Sequence, residues 1–550
     1  MTAIAPERRR RARGHGVRRA SALLLATALA LGAAIALRLP GAWRTGNGLN
    51  HVSGAWMALA EDLAHGTFYR PVLDPELGYG GTRFFPLVFS LHAALRAAGL
   101  QLLAGGYALS LVAGVLAVLG VALFLRRAGL PRPAALAFGL LGFAAFATQH
   151  ALAAARGDLL PAALDLLGLA ALARGPSRGA LGAAIALFAL AFAGKGTALT
   201  APAAACAWLL LRRERRAAAA LALGVWAGVL VVIALSDVLS GGRFLAIVLA
   251  DATGGAVAHD VLLAPLRLFE HFTIADPAAM ALVGTAAAAT LASAPARLEA
   301  ARAGRVDARL LPGLWLLAAA ATVGIVFASP GTGVNHLVEL ELASALAIGA
   351  AWPSRDTAGL VARSLSPVIG ALGIAVAIGL AREDARTSRL AELREVAAEL
   401  PPRAPVLSED PLLSVVLGER PYVLDTWMLR LAAERDRGLQ RPLLEAVEKG
   451  EFAAVILFQK LGTPEAELWY RRGDFGLDVV ADVERHYRLA ATHGRYQVYV
   501  PTVAGAPRPA PVARAPEAPG PAPLDAVAPV RAAEASPRRA PRVARRRRRG

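Results

Sequence analysis

The sequence predicts an all-α polytopic membrane protein of about eleven transmembrane helices, with a small α/β extracytoplasmic domain near its C-terminal end. Three observations carry that prediction. Of 550 residues, 56% are hydrophobic and only 18% are charged, a balance too apolar for an ordinary soluble protein. The apolar residues fall into blocks of roughly 15–20, recurring from Ala22 to Gly379, each near the length of a membrane helix. Beyond residue 382 the blocks give way to short runs that read as strands.

Residues 1–20 form a basic tail with seven Arg and one Glu, the usual cytoplasmic anchor of a first membrane helix. The first span covers about 21–37. A long external loop, 38–106, follows. Within it TRFFPLVFSLHAALRAAG is apolar but short and carries His92 and Arg96, so it reads as an interfacial or re-entrant helix rather than a span. Further spans fall near 107–125, 133–148, 159–173, 180–194, 197–211, 217–235, 277–294, 310–328, 338–352 and 366–380. Arginine clusters at 126–132, 174–178, 212–216, 297–309 and 355–363 then share one side, as the positive-inside rule requires. Counting the 82–99 helix as a span would put those clusters outside. This places the N-terminus in the cytoplasm, with a membrane domain at 21–381 and an external domain at 382–500.

In the external domain AELREVAAEL reads as an amphipathic helix. APVLSED, RPYVLD, FAAVILF and GRYQVYVP read as strands. Residues 501–550, rich in Pro, Ala and Arg, are expected to be disordered. The net charge of +18 is no nucleic-acid signature, because the two tails carry +6 and +8 of it. Nucleic acid is not an expected partner; membrane lipid is. One cysteine, Cys206, excludes an internal disulfide and any cysteine-cluster metal site.

Charge inside the bundle is costly and marks a site, a pathway or an internal pair. ARGDLLPAALDLLGL puts Arg156 and Asp158 at the external mouth of a helix and Asp165 two turns deeper, about 10 Å along it. Lys195, in FAGKGTAL, is the only lysine before residue 449; its amine suits a phosphate contact or simply snorkels to the interface. SPGTGVNHLVELELA brings Asn335, His336, Glu339 and Glu341 to the same side, with Gly331 and Gly333 able to admit a ligand. The first loop carries His51, Asp62, Asp74 and Arg83. There SGAWMALAEDLAHG reads as a helix with Ser53 as its cap and Gly66 as its stop, its Trp56, Leu59 and Leu63 face fit to lie on a membrane. GYGGTR suits a phosphate or a sugar, or only a turn.

In this order, these pieces resemble the GT-C superfamily of polytopic membrane glycosyltransferases, especially the bacterial RgtA/B/C/D-like branch, over about residues 20–380. The matching elements are the basic tail and first helix, SGAWMALAEDLAHGTFYRP, FFPLVFSLHAAL, RGDLLPAALDLLGL, AFAGKGTAL and GVNHLVEL. The resemblance implies a polyprenyl-phosphate sugar as donor and an envelope glycan, lipid or protein as acceptor. It implies an acid in the first loop as base, and basic groups that stabilise the lipid-phosphate leaving group. No cofactor beyond the lipid-linked donor and no metal site are expected. The chain departs from the pattern where an acidic pair should stand before Gly66: it has His51, Val52 and Ser53. The base is then expected from Asp158 first, His51 second, or Asp62 or Asp74, with Arg83, Arg156, Lys195, Asn335 and His336 on the substrate. A transporter or lipid flippase using Asp165 and Glu339, and a non-catalytic envelope protein derived from the enzyme, are the competing classes.

Overall fold

The computed structural model describes residues 4–249, 258–329 and 332–502. Gly331 and nearly all of the expected disordered tail lie outside them. Each of the eleven apolar blocks is helical, but the blocks are not eleven equal spans. Among the described residues seven helices are long and apolar enough to cross a membrane, and an eighth crossing is counted if a bent pair makes one. The chain is a multi-pass membrane protein. The first helix runs unbroken from Ile4 to Thr45, so the expected tail continues it by more than four turns.

The departures concentrate between residues 132 and 211. The expected 133–148 span is two helices, Arg132–Leu141 and Phe146–Ala153, bent by 83°. Three more, Leu159–Leu172, Arg178–Gly194 and Thr200–Leu211, have 14, 17 and 12 residues. At about 1.5 Å per residue these fall short of a hydrocarbon core of about 30 Å. Their polar ends therefore sit within the bundle, where irregular backbone is tolerated only against protein or a water-filled cavity.

The break itself is hydrogen-bonded by two acids. Phe146 N donates to Asp276 Oδ2 at 2.8 Å, and Thr148 N donates to Glu341 Oε2 at 2.9 Å. These carboxylates satisfy amides that a helix start leaves without intrahelical acceptors. Glu341 thus has a structural job. Close packing across the same region uses small residues: a Cβ on Gly373 would lie 2.7 Å from Ala144 Cα.

The buried Arg38–Asp384 ion pair (2.9 Å) joins the C-terminal parts of the first helix and of Thr357–Arg386. These two helices therefore end at the same level, which fits a bundle crossed an odd number of times between them. Arginines gather at the opposite end. Arg309 donates to Ala128 O, Arg297 to Arg309 O, and Arg363 to Trp352 O and Ser354 O.

Between the spans the first loop folds into His51–Ala64 and Pro86–Ala97, as its pattern predicts. Asn50, not Ser53, is the N-cap: Ser53 N donates to Asn50 Oδ1 (3.1 Å) and Asn50 N to Ser53 Oγ (3.3 Å). Gly66, at φ +86°, ends the helix. The Trp56 and Leu59 face is buried within the protein rather than laid on lipid: Trp56 stacks on Phe84 at 4.6 Å. The loop expected at 236–276 holds an additional helix, Ala258–Glu270.

The C-terminal domain is built on four strands, β1 (Val406–Ser408), β2 (Ala454–Leu457), β3 (Tyr487–His493) and β4 (Tyr496–Pro501), in the order β1-β2-β4-β3. β1 and β2 are parallel; the other pairs are antiparallel. β3 went unread because an edge strand with mostly exposed side chains, YRLAATH, lacks an apolar alternation. RPYVLD is no sheet strand; it makes a single bridge, Tyr79 to Val423. Arg389 locks the domain to the first loop. It donates to Asp410 Oδ2 (2.6 Å), Leu49 O (2.7 Å) and Tyr496 Oη (3.0 Å).

Candidate active site

Short helices and their connections bring five of the nine predicted residues to one place. The chain leaves Phe146–Ala153 and runs irregularly to Asp158, just before Leu159–Leu172. Lys195 ends Arg178–Gly194, where a cation suits the helix dipole. Asn335 and His336 lie in the short turn Val334–Leu337 ahead of the next helix. Lys195 Nζ stands 3.1 Å from Asp158 Oδ1, and Asn335 Nδ2 donates to the same oxygen at 2.9 Å. Arg156 Nε lies 3.2 Å from Asp158 Oδ2. His336 is within electrostatic reach of Lys195, Asp158, Arg83 and Arg156. The Trp56 helix covers the segment: a Cβ on Gly157 would come within 2.7 Å of the indole.

This wiring bears on Asp158 as a base. Lys195 and Asn335 face its Oδ1 and Arg156 faces its Oδ2, so both oxygens already have donors beside them. A carboxylate held this way fixes two cations in place.

The remaining four lie apart from this wiring. Asp62 is buried and bound by both arms of Arg70, at 2.9 and 3.1 Å, while Arg70 also donates to Leu77 O and Pro421 O. That is a structural clamp between the first loop and the C-terminal domain. Asp74 accepts from the Glu76 and Leu77 amides (2.9 and 3.0 Å) in an exposed turn, and those amides hold its carboxyl below the usual range. Arg83 is half-buried within electrostatic reach of His336 on one side and Asp425 on the other. His51 opens its helix with its ring 6.5 Å from that of Phe458, and it feels Asp425 and Asp474.

Sequence reasoning missed Asp425 and Asp474, which the C-terminal domain brings within electrostatic reach of His51, and Glu409 beside Asp474. Glu409 accepts from Phe458 N, Trp469 Nε1 and Tyr470 Oη, at 2.6–2.8 Å. Thr426 Oγ1 donates to Asp474 Oδ1 at 2.9 Å. Deeper in the bundle, Glu339 accepts from Trp315 Nε1 (2.9 Å) and pairs with the Thr200 hydroxyl. Asp165 faces Glu339, and among the described residues neither Asp165 oxygen has a hydrogen-bond partner.

The whole fold is similar to solved membrane enzymes. ArnT from Cupriavidus metallidurans bound to undecaprenyl phosphate superposes with a TM-score of 0.53 at 15% identity, covering 87% of this chain and 99% of that one. The apo state of the same protein gives 0.51 at 16% identity, covering 83% and 95%. The chain shares the fold of that protein over most of its length. An Archaeoglobus fulgidus oligosaccharyltransferase in complex with zinc and sulfate gives 0.51 at 15% identity, covering 87% of this chain and 73% of the other. No protein-family model and no curated protein sequence matches the chain. At 87% of this chain, the structural likeness to ArnT reaches past residue 380 into the C-terminal domain.

Proposed function

We propose that this chain is a membrane-embedded glycosyltransferase that moves a sugar from a polyprenyl-phosphate donor to a hydroxyl on an envelope glycan, lipid or protein. The observation that carries this reading is the cation cluster at Asp158. Lys195 and Arg156 are fixed on one carboxylate, with Arg83 nearby, so positive charge exceeds negative at a mouth within the bundle. A departing lipid phosphate needs that surplus. Preorganised cations in a site of low dielectric stabilise charge that develops on the leaving oxygen without reorganising as it forms. The similarity to a protein bound to undecaprenyl phosphate supports the same lipid class here.

In this reading the lipid phosphate lies against Lys195, Arg156 and Arg83, and Asp158 and Asn335 hold the Lys195 amine in place. Trp56 closes the site on the first-loop side. The chemistry takes place at the outer face of a bacterial inner membrane, with the arginine-rich end of the bundle in the cytoplasm. Purified protein in nanodiscs titrated with undecaprenyl phosphate tests the reading. Saturable binding that weakens at least about tenfold in Lys195→Ala supports it; binding unaffected by that change removes its basis.

Asp165 favours a second reading, a transporter that carries its substrate past the Asp165–Glu339 pair. Substrate uptake into vesicles without any covalent product supports that alternative.

A further inference from the structure

The Asp158 cluster supplies cations for a leaving group, and both oxygens of its carboxylate already face donors. Another part of the chain offers one. Tyr79 N donates to Tyr422 O at 2.7 Å, and Leu424 N donates to Tyr79 O at 2.9 Å. The bridge between Tyr79 and Val423 is parallel, and Asp425 follows the bridge by two residues on one side as Arg83 follows it by four on the other. The contact needs glycine, since a Cβ on Gly78 would fall 2.3 Å from Tyr422 O. Gly78 and Tyr79 are therefore a docking strip for the C-terminal domain, and RPYVLD is what docks on it.

Asp425 stands at the end of that strip as the N-cap of Thr426–Arg435, with Oδ1 accepting from Met428 N at 3.1 Å. The charged groups facing it are Arg83 from the first loop and His51 from the helix His51–Ala64; Asp474 and Glu409 lie behind His51. Arg83 in turn reaches His336 in the Asp158 cluster. Arg83 thus stands within electrostatic reach of both His336 at the mouth and a carboxylate carried by the external domain.

We propose that Asp425 is the catalytic base, receiving the proton of the acceptor hydroxyl in the place that the first loop leaves without an acid. This rests on the glycosyltransferase reading. The acceptor O–H proton passes to an Asp425 oxygen while the acceptor oxygen bonds to the anomeric carbon of the sugar. The bond from that carbon to the phosphate oxygen breaks, and its electron pair leaves on the phosphate facing Arg83, Lys195 and Arg156. Burial, against the pull of Arg83, pushes the Asp425 carboxyl above the usual range, which suits a base working near neutrality.

Asp425→Asn and Asp425→Ser test this, because both residues still cap a helix. Full-length proteins in nanodiscs are given a radiolabelled polyprenyl-phosphate hexose, with envelope membranes from cells lacking the gene as acceptor. Undecaprenyl phosphate affinity is measured in parallel. Both variants should keep lipid-phosphate affinity within about twofold of wild type and lose about a hundredfold or more in transfer rate. Asp425→Glu should recover part of the rate, with an altered acid limb in its pH profile. Transfer by Asp425→Asn close to the wild-type rate overturns the assignment. A wild-type protein that neither binds undecaprenyl phosphate nor transfers label overturns the glycosyltransferase reading and this role with it, and the wild-type arm alone shows that failure.

Discussion

Lys195 Nζ sits 3.1 Å from Asp158 Oδ1, joining the end of one short bundle helix to the start of another. Asn335 and Arg156 complete the grip on the same carboxylate. The lysine is about one-fifth exposed and the aspartate about one-tenth, so the ammonium keeps an open side toward the mouth. A pair buried on all sides would be a structural tie only.

Asp158→Asn separates ordering from proton transfer. If Asp158 orders the two cations, the amide keeps part of the geometry and transfer falls modestly, by roughly tenfold. A loss of about a thousandfold or more, with lipid binding intact, would restore Asp158 as the base.

Arg389→Met breaks the lock between the domain and the first loop. It leaves buried Asp410 without its cation and Leu49 O without its donor, a loss of about 3–5 kcal/mol. Limited proteolysis should then cut between the last bundle helix and β1 at a lower temperature than in wild type.

Gly54→Ala tests the docking of the first loop more locally. A Cβ there would meet Leu412 N at 2.3 Å and cannot be accommodated without moving Pro411–Leu417 away from His51–Ala64. Transfer should fall sharply while lipid-phosphate binding changes little. Unchanged transfer would mean that the external domain does not complete the site.

Much of this arrangement is legible in the sequence. Arginine asymmetry put 156–158, Lys195 and 335–336 at one end of the bundle, and Asn335 does reach Asp158 across 177 positions. The broken helix at 142–145 was invisible, because GFAA is as apolar as its flanks and hydropathy does not register a bend. The capping roles of Asp276 and Glu341 follow from that bend and were hidden with it. Asp425 escaped for another reason. RPYVLD has the composition of a strand, and nothing local shows that its partner is a glycine strip some 340 residues earlier. The Asp–Thr step before TWMLRLAAER was a readable helix start, and it was the one signal available.

The central claim is that the Asp158–Lys195 cluster holds a lipid phosphate, and binding tests it most directly. Undecaprenyl phosphate should bind wild-type protein in nanodiscs saturably and weaken with salt, with affinity reduced at least about tenfold in Lys195→Ala and less in Lys195→Arg. Equal affinity in all three proteins would contradict it.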